Sequence, residues 1–205
     1  MFKLHATYII GLFVACDVIA NITAGKPTQL GPFTVPAAIY LFALTFTLID
    51  LINQALGKQA ARRVVYTAFA ANIVLALYAL LVVALPSPAW FKAGASYAVV
   101  LGLAPRVVLA SLTASLISGL LDVELFARLR RRLNPGWRVV ASNVGSTLLD
   151  SVVFILLAFT GAPGFPPEVL GALILGQYVV KLAVTAVSVP LIYLVHATVT
   201  VDRVE

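Results

Sequence analysis

Asp17, Asp50, Asp150 and Lys181 each interrupt a long apolar run, at positions where a buried helix would ordinarily carry leucine or valine. A charged side chain at the centre of a bilayer-spanning helix costs about 2.5–3.5 kcal/mol on insertion scales. A chain keeps such a group where it faces a partner or a water-filled cavity. In residues 137–161, Asn143, Thr147 and Asp150 recur at i, i+4 and i+7, one polar stripe on a helix. Upstream, Ser111, Ser115, Ser118 and Asp122 form a second stripe. The phrase S-x-L-L-D-x-x-x-F begins at Ser118 and again at Ser146, so Asp122 and Asp150 stand 150 − 122 = 28 residues apart in equivalent settings. Gln177 and Lys181 are spaced i, i+4, as are Asp50 and Gln54. Carboxylates, amides and hydroxyls in such stripes suit a hydrogen-bonding solute. The plainer alternative is polar glue between helices, at roughly 0.6 kcal/mol per contact. Several ionisable groups at mid-depth exceed what packing needs.

The surrounding chain sets that context. It has 205 residues, 61% hydrophobic and only 11% charged, with a mean hydropathy of +1.03. A soluble domain would carry about 25% charged residues. The composition is that of a polytopic membrane protein with a single domain. Its lone cysteine excludes an intramolecular disulfide framework and a multi-cysteine metal site. Phe13-Val-Ala-Cys16 resembles a lipoprotein processing site only loosely, and Cys16 reads better as a small buried hydrophobe. Asp17 breaks the apolar run that a cleavable signal peptide would need.

Six spans are expected, over residues 8–24, 33–56, 64–85, 106–126, 138–160 and 168–195. Each matches a hydrocarbon core of about 30 Å, and helices are required because lipid cannot satisfy open strand edges. Residues 25–32 read as a turn-rich loop. Pro105 suits the first turn of the fourth span, and Pro190 is expected to kink the sixth. Arg106 falls near the outer end of the fourth span, and Asp122 near its cytoplasmic end, within reach of Arg128 or Arg130. Ala110, Ala114 and Ser118 form a small-xxx-small pattern that favours close helix contact.

Loop charge fixes an orientation. With the N-terminus inside, ten of the basic residues fall inside, including Lys58, Arg62, Arg63 and the run Arg128–Arg132, against Lys26 and Lys92 outside. Both termini are then cytoplasmic. The net charge of +6 is explained by topology first and anionic-lipid contact second, with no nucleic-acid role. Enzyme chemistry finds little footing. His5 and His196 sit near the ends without metal partners, and there is no Gly-rich phosphate loop, no G-x-S-x-G and no H-E-x-x-H. Nor is there a repeated filter sequence of the kind that lines a channel.

Taken in order, several phrases carry a family resemblance. They are Thr47-Leu-Ile-Asp50 with Gln54, Pro105-Arg106, Ser118-Gly-Leu-Leu-Asp122, Asn143 with Ser146-Thr-Leu-Leu-Asp150, and Gln177-Tyr-Val-Val-Lys181. Over roughly residues 33–193 the chain resembles the queuosine-precursor transporter family. The resemblance implies a six-helix importer of 7-deazaguanine bases in the bacterial inner membrane, similar in fold to the substrate-binding subunits of energy-coupling-factor vitamin transporters. It departs from the family's pattern at Gln54, where an acid is usual, and at Gly119, where a glutamine is usual. The implied cargo site draws on Asp50, Gln54, Arg106, Ser118, Asp122, Asn143, Asp150, Gln177 and Lys181. Asp150 or Asp50 would accept the N1–H and exocyclic amine of the base. Lys181, Gln177, Asn143 or Arg106 would serve its carbonyl oxygen, and Phe154, Tyr178 or Tyr40 would stack. No cofactor is implied. The partners expected are a purine-like solute, membrane lipid and, in a second reading, an ATPase module that powers a vitamin-binding subunit. A membrane enzyme acting on lipid is the third.

Overall fold

The computed structural model describes residues 2–128 and 135–202. Six helices dominate: α1 (Ala6–Thr23), α2 (Ile39–Leu56), α3 (Lys58–Ala84), α4 (Gly94–Arg128), α5 (Pro135–Phe159) and α6 (Pro167–Thr198). Among the described residues α1, α3, α4 over Gly94–Asp122, and α6 over Pro167–Ala186 are long and apolar enough to cross a membrane, while α2 and α5 carry shorter apolar stretches. This is a multi-pass membrane protein. Leu77 and Leu81 on α3, and Leu116 and Leu120 on α4, are exposed, as lipid-facing leucines are. Cohesion between the helices then comes from packing and polar contacts, since lipid tails are as apolar as leucine.

Four short strands complete the chain: β1 (Phe2–His5), β2 (Pro27–Leu30), β3 (Phe33–Pro36) and β4 (Val199–Asp202). β2 and β3 form an antiparallel hairpin, Pro27 opposite Pro36. β1 pairs with β4 in parallel, Phe2 opposite Val199, so the two ends of the chain lie side by side.

The element bounds differ from the expected spans in three places. The second helix begins at Ile39, because residues 33–36 belong to β3; the Gly31-Pro32 turn folds them back on residues 27–30. The third begins at Lys58, where Lys-Gln-Ala-Ala-Arg-Arg supplies good helix formers outside the apolar run. The fourth begins at Gly94 and runs through Pro105, which therefore lies inside a helix of 35 residues and not at its first turn. Proline is tolerated in a spanning helix where neighbouring groups satisfy the backbone that it frees. α6 likewise continues through Pro190.

Two junctions are set by single residues. Gly57, at φ +88°, closes α2 and opens α3, a backbone conformation that a Cβ would strain. Leu85 is extended (φ −71°, ψ 135°) because Pro86 follows it, and α3 stops there. Gly176 permits a third close approach: a Cβ at this position would lie 2.2 Å from the Thr34 carbonyl oxygen, so its absence lets α6 seat directly on β3. One buried cluster joins α4, α5 and the α5–α6 turn, with Phe159 stacked on Phe165 (centroids 4.3 Å) and edge-on to Phe154 (5.8 Å). A second joins α1, α2 and α3 through Ile9, Phe13, Ile52 and Val64.

Candidate functional site

All six helices contribute to one cavity of about 540 Å³, within the range of about 300–1,000 Å³ usual for small-molecule sites. Phe13, Phe42, Phe69 and Phe154 supply apolar walls. Both predicted stripes face it: Ser111, Ser115, Ser118 and Asp122 from α4, and Asn143, Thr147 and Asp150 from α5.

α4 packs more extensively against α5 than any other pair of elements pack together, and the repeated phrase explains the register. Ser118 Oγ donates to Asp150 Oδ1 at 3.4 Å, and Ser146 Oγ donates to Asp122 Oδ1 at 3.3 Å. The serine of each copy thus meets the aspartate of the other. Both pairs are centred on the same sequence position, 134, as two antiparallel helices in a hairpin require. Asp122 is accordingly held by Ser146 and not by Arg128, which pairs with Glu124 one helical turn back. Arg128 is six residues from Asp122 and so on a different face; Arg130 lies outside the described residues.

Lys181 on α6 reaches across to Asp150, and its Nζ donates to Oδ2. The pair is mostly buried, with Lys181 at 11% and Asp150 at 18% side-chain exposure. Lys181 Nζ also stands 5.4 Å from the centroid of the Phe42 ring, within cation–π range. Oδ2 is thereby fixed by an ammonium, while among the described residues Oδ1 holds only the long contact to Ser118. An acceptor oxygen and an adjacent ammonium are presented together to the cavity.

A second polar group, contributed to the lining by α1 and α3, escaped the sequence-based assignment. Asn72 Nδ2 donates to Asp17 Oδ2 at 2.6 Å and to the Ala68 carbonyl at 2.9 Å, while Asn72 Oδ1 accepts from Asn21 Nδ2 at 2.8 Å. Asn21 also donates to the Asp17 carbonyl at 3.1 Å. Asp17, Asn21 and Asn72 all line the cavity. The available signals were the i, i+4 spacing of Asp17 and Asn21, and Asn72 standing alone in the middle of an apolar helix.

Other expected site residues stand elsewhere. Arg106 donates from Nε to the Leu157 carbonyl at 2.7 Å and from an Nη to the Thr160 carbonyl at 2.5 Å. It caps the C-terminal end of α5, where free carbonyls and the helix dipole favour a cation, and it is not among the residues lining the cavity. Gln177 is buried at 2% exposure, also apart from the lining, and its Nε2 has no hydrogen-bond partner among the described residues. Tyr40 is half exposed. Neither Tyr40 nor Tyr178 lines the cavity, whereas Phe154 does. The side chains of Asp50 and Gln54 lie outside the described set. Among the described residues no group of three His, Cys, Asp or Glu is arranged to hold a metal ion.

Comparison with known proteins bears on the chain as a whole. No solved structure matches the chain. Over 190 residues, 89% of this chain and 82% of the relative, it is 28% identical to a protein of Bacillus subtilis (strain 168) named "Probable queuosine precursor transporter". The profile of the family described as "Putative vitamin uptake transporter" matches residues 36–195. That stretch holds α2 through most of α6 and with them both serine–aspartate phrases, the Asp150–Lys181 pair and Asn72. With more than half of its length matched, and five of the six helices that build the cavity wholly or largely within the match, the chain belongs to the vitamin uptake transporter family.

Proposed function

We propose that this chain imports 7-deazaguanine precursors of queuosine across the bacterial inner membrane, with Asp150 and Lys181 reading the guanine-like edge of the base. The observation that carries the reading is the Asp150–Lys181 pair on the cavity wall. That edge of a deazaguanine presents two adjacent donors, N1–H and the exocyclic amine, followed by a carbonyl acceptor. A carboxylate accepts from both donors, and the ammonium beside it serves the carbonyl. Charge-assisted hydrogen bonds of this kind contribute about 1.5–3 kcal/mol each. The phenylalanines of the walls supply faces on which a flat base can lie. The name of the Bacillus subtilis relative supports the same cargo.

Six crossings with both termini cytoplasmic belong to this reading. Parallel pairing of β1 with β4 supports ends on one side and hence an even number of crossings. α2 and α5, with 18 and 25 residues, extend about 27 and 38 Å, so both reach across a core of about 30 Å with at most slight thinning. A second reading, favoured by the family's description, is a vitamin-binding subunit driven by a separate ATPase module. It predicts co-purification with that module and no uptake without it.

The test is uptake of a labelled deazaguanine by cells whose own importer has been deleted. Wild-type chain restores uptake, and Asp150→Asn lowers it at least tenfold at equal membrane levels. That factor corresponds to losing one charge-assisted hydrogen bond of about 1.5 kcal/mol. Unchanged uptake in Asp150→Asn would remove Asp150 from the site, and no uptake by wild type would remove the cargo.

A further inference from the structure

Among the described residues, three carboxylates line the cavity, Asp17, Asp122 and Asp150, but only one ammonium, Lys181. Lys181 is committed to Asp150. Asp17 has no cationic partner among the described residues. Its Oδ2 accepts from Asn72, a neutral amide, and no described side chain donates to Oδ1. The amides around it are fully directed. Asn72 spends its two N–H groups on Asp17 and the Ala68 carbonyl, and its own oxygen accepts from Asn21. Neither amide is free to turn, so Asp17 is aimed, and no cation among the described residues pairs with it. Placing a charge in a largely apolar cavity is costly unless a counter-charge arrives; no cation among the described residues pairs with Asp17, and a cationic cargo would supply one. Asp17 also stands on α1, outside the α4–α5–α6 group that holds Asp150. It therefore meets a different part of any molecule bound at the Asp150–Lys181 pair.

We infer that Asp17, held by Asn72 and Asn21, is a second recognition pole that accepts a protonated primary amine, so the cavity favours an aminomethyl-bearing deazaguanine over the neutral nitrile-bearing one. The inference rests on the cargo class proposed above and narrows it. The two poles divide the labour: Asp150 and Lys181 read the edge common to all these bases, and Asp17 reads the substituent. Asp122, held by Ser146 within the α4–α5 hairpin, adds to the negative potential that draws a cation in.

The experiment measures binding of both bases to detergent-purified protein, at low ionic strength, for wild type, Asp17→Asn, Asn72→Ala and Asp150→Asn. Wild type is expected to bind the amine at least tenfold more tightly than the nitrile. Asp17→Asn brings that ratio to near one, and Asn72→Ala, which removes the amide but keeps the carboxylate, lowers it only in part. Asp150→Asn weakens both ligands and preserves the ratio. A wild-type ratio near one, or a ratio untouched by Asp17→Asn, overturns the inference while the cargo class stands. If neither base binds folded wild type, the cargo class fails and the inference with it. Should Asp17→Asn not fold, the wild-type ratio together with Asn72→Ala decides: a tenfold preference that Asn72→Ala reduces supports the second pole, and an unmoved ratio refutes it.

Discussion

Replacing Lys181 by methionine keeps most of the unbranched side chain and deletes the ammonium that Asp150 holds. Removing one member of a buried ion pair costs about 3–5 kcal/mol, because the other charge is left without compensation. Asp150 retains 18% exposure and faces the cavity, so water partly relieves it and the lower end, about 3 kcal/mol, applies. Asp150→Asn orphans Lys181 in the same way, with a similar loss. The double variant has no charge to orphan and should lie within about 1 kcal/mol of wild type, a coupling of several kcal/mol in the double-mutant cycle. Equilibrium unfolding in mixed micelles measures all four proteins, and uptake is assayed in parallel. The signature expected is a double variant that is stable but does not transport. If the two single losses simply add, the pair does not interact as described. If the double variant is stable and transports like wild type, the pair is structural and the cargo contacts lie elsewhere.

Three more outcomes follow from particular contacts. Arg106→Gln should lower stability by about 1–2 kcal/mol, because two hydrogen bonds to the end of α5 are lost from a partly solvated site; ligand affinity in the folded fraction should change less than twofold, and a larger loss would return Arg106 to the cargo site. Gly176→Ala sets a Cβ 2.2 Å from the Thr34 carbonyl oxygen, so the β2–β3 hairpin must shift from α6 at a cost of about 1–3 kcal/mol; limited proteolysis should then cut within residues 27–36 faster than in wild type. Cys16 is buried and is the lone cysteine of the chain, so introduced cysteines report topology. An impermeant maleimide should label Thr28→Cys in intact cells and Gln59→Cys only after permeabilisation, and the reverse pattern would invert the proposed orientation.

Helical periodicity carried the α4 and α5 stripes a long way. Seven residues assigned to two faces by spacing alone do share one cavity, because a rigid 3.6-residue repeat leaves a side chain little choice of face. The repeated S-x-L-L-D phrase marked a shared environment, but its reciprocal pairing needed the antiparallel hairpin to appear. Arg106 shows what spacing alone leaves open. A cation one residue after a proline at a span edge can serve a solute or a helix end, and the free carbonyls of α5 become its neighbours only in three dimensions. The start of α2 was blurred because Phe33-Thr-Val-Pro36 is apolar enough to join a span, while its strand character depends on pairing with residues 27–30. Asn72 has no polar neighbour in its own sequence window, and its partners stand 51 and 55 residues away.

The partners of the three carboxylates that line the cavity are graded, and the grading is itself an argument for a binding cavity. Asp150 has an ammonium and a hydroxyl, Asp17 an amide network, and Asp122 one hydroxyl. Were adhesion between helices the purpose, neutral hydrogen-bonding pairs would serve at far lower insertion cost, since each charged group facing lipid forfeits about 2.5–3.5 kcal/mol against contacts returning about 0.6. Three carboxylates against one lysine would be a poor glue. On the proposed reading Asp17 and Asp122 are acceptors that neutral partners satisfy only in part, around a space lined by all six helices. On that reading, a solute rich in N–H donors would complete such a set, and one that also carries positive charge would complete it best.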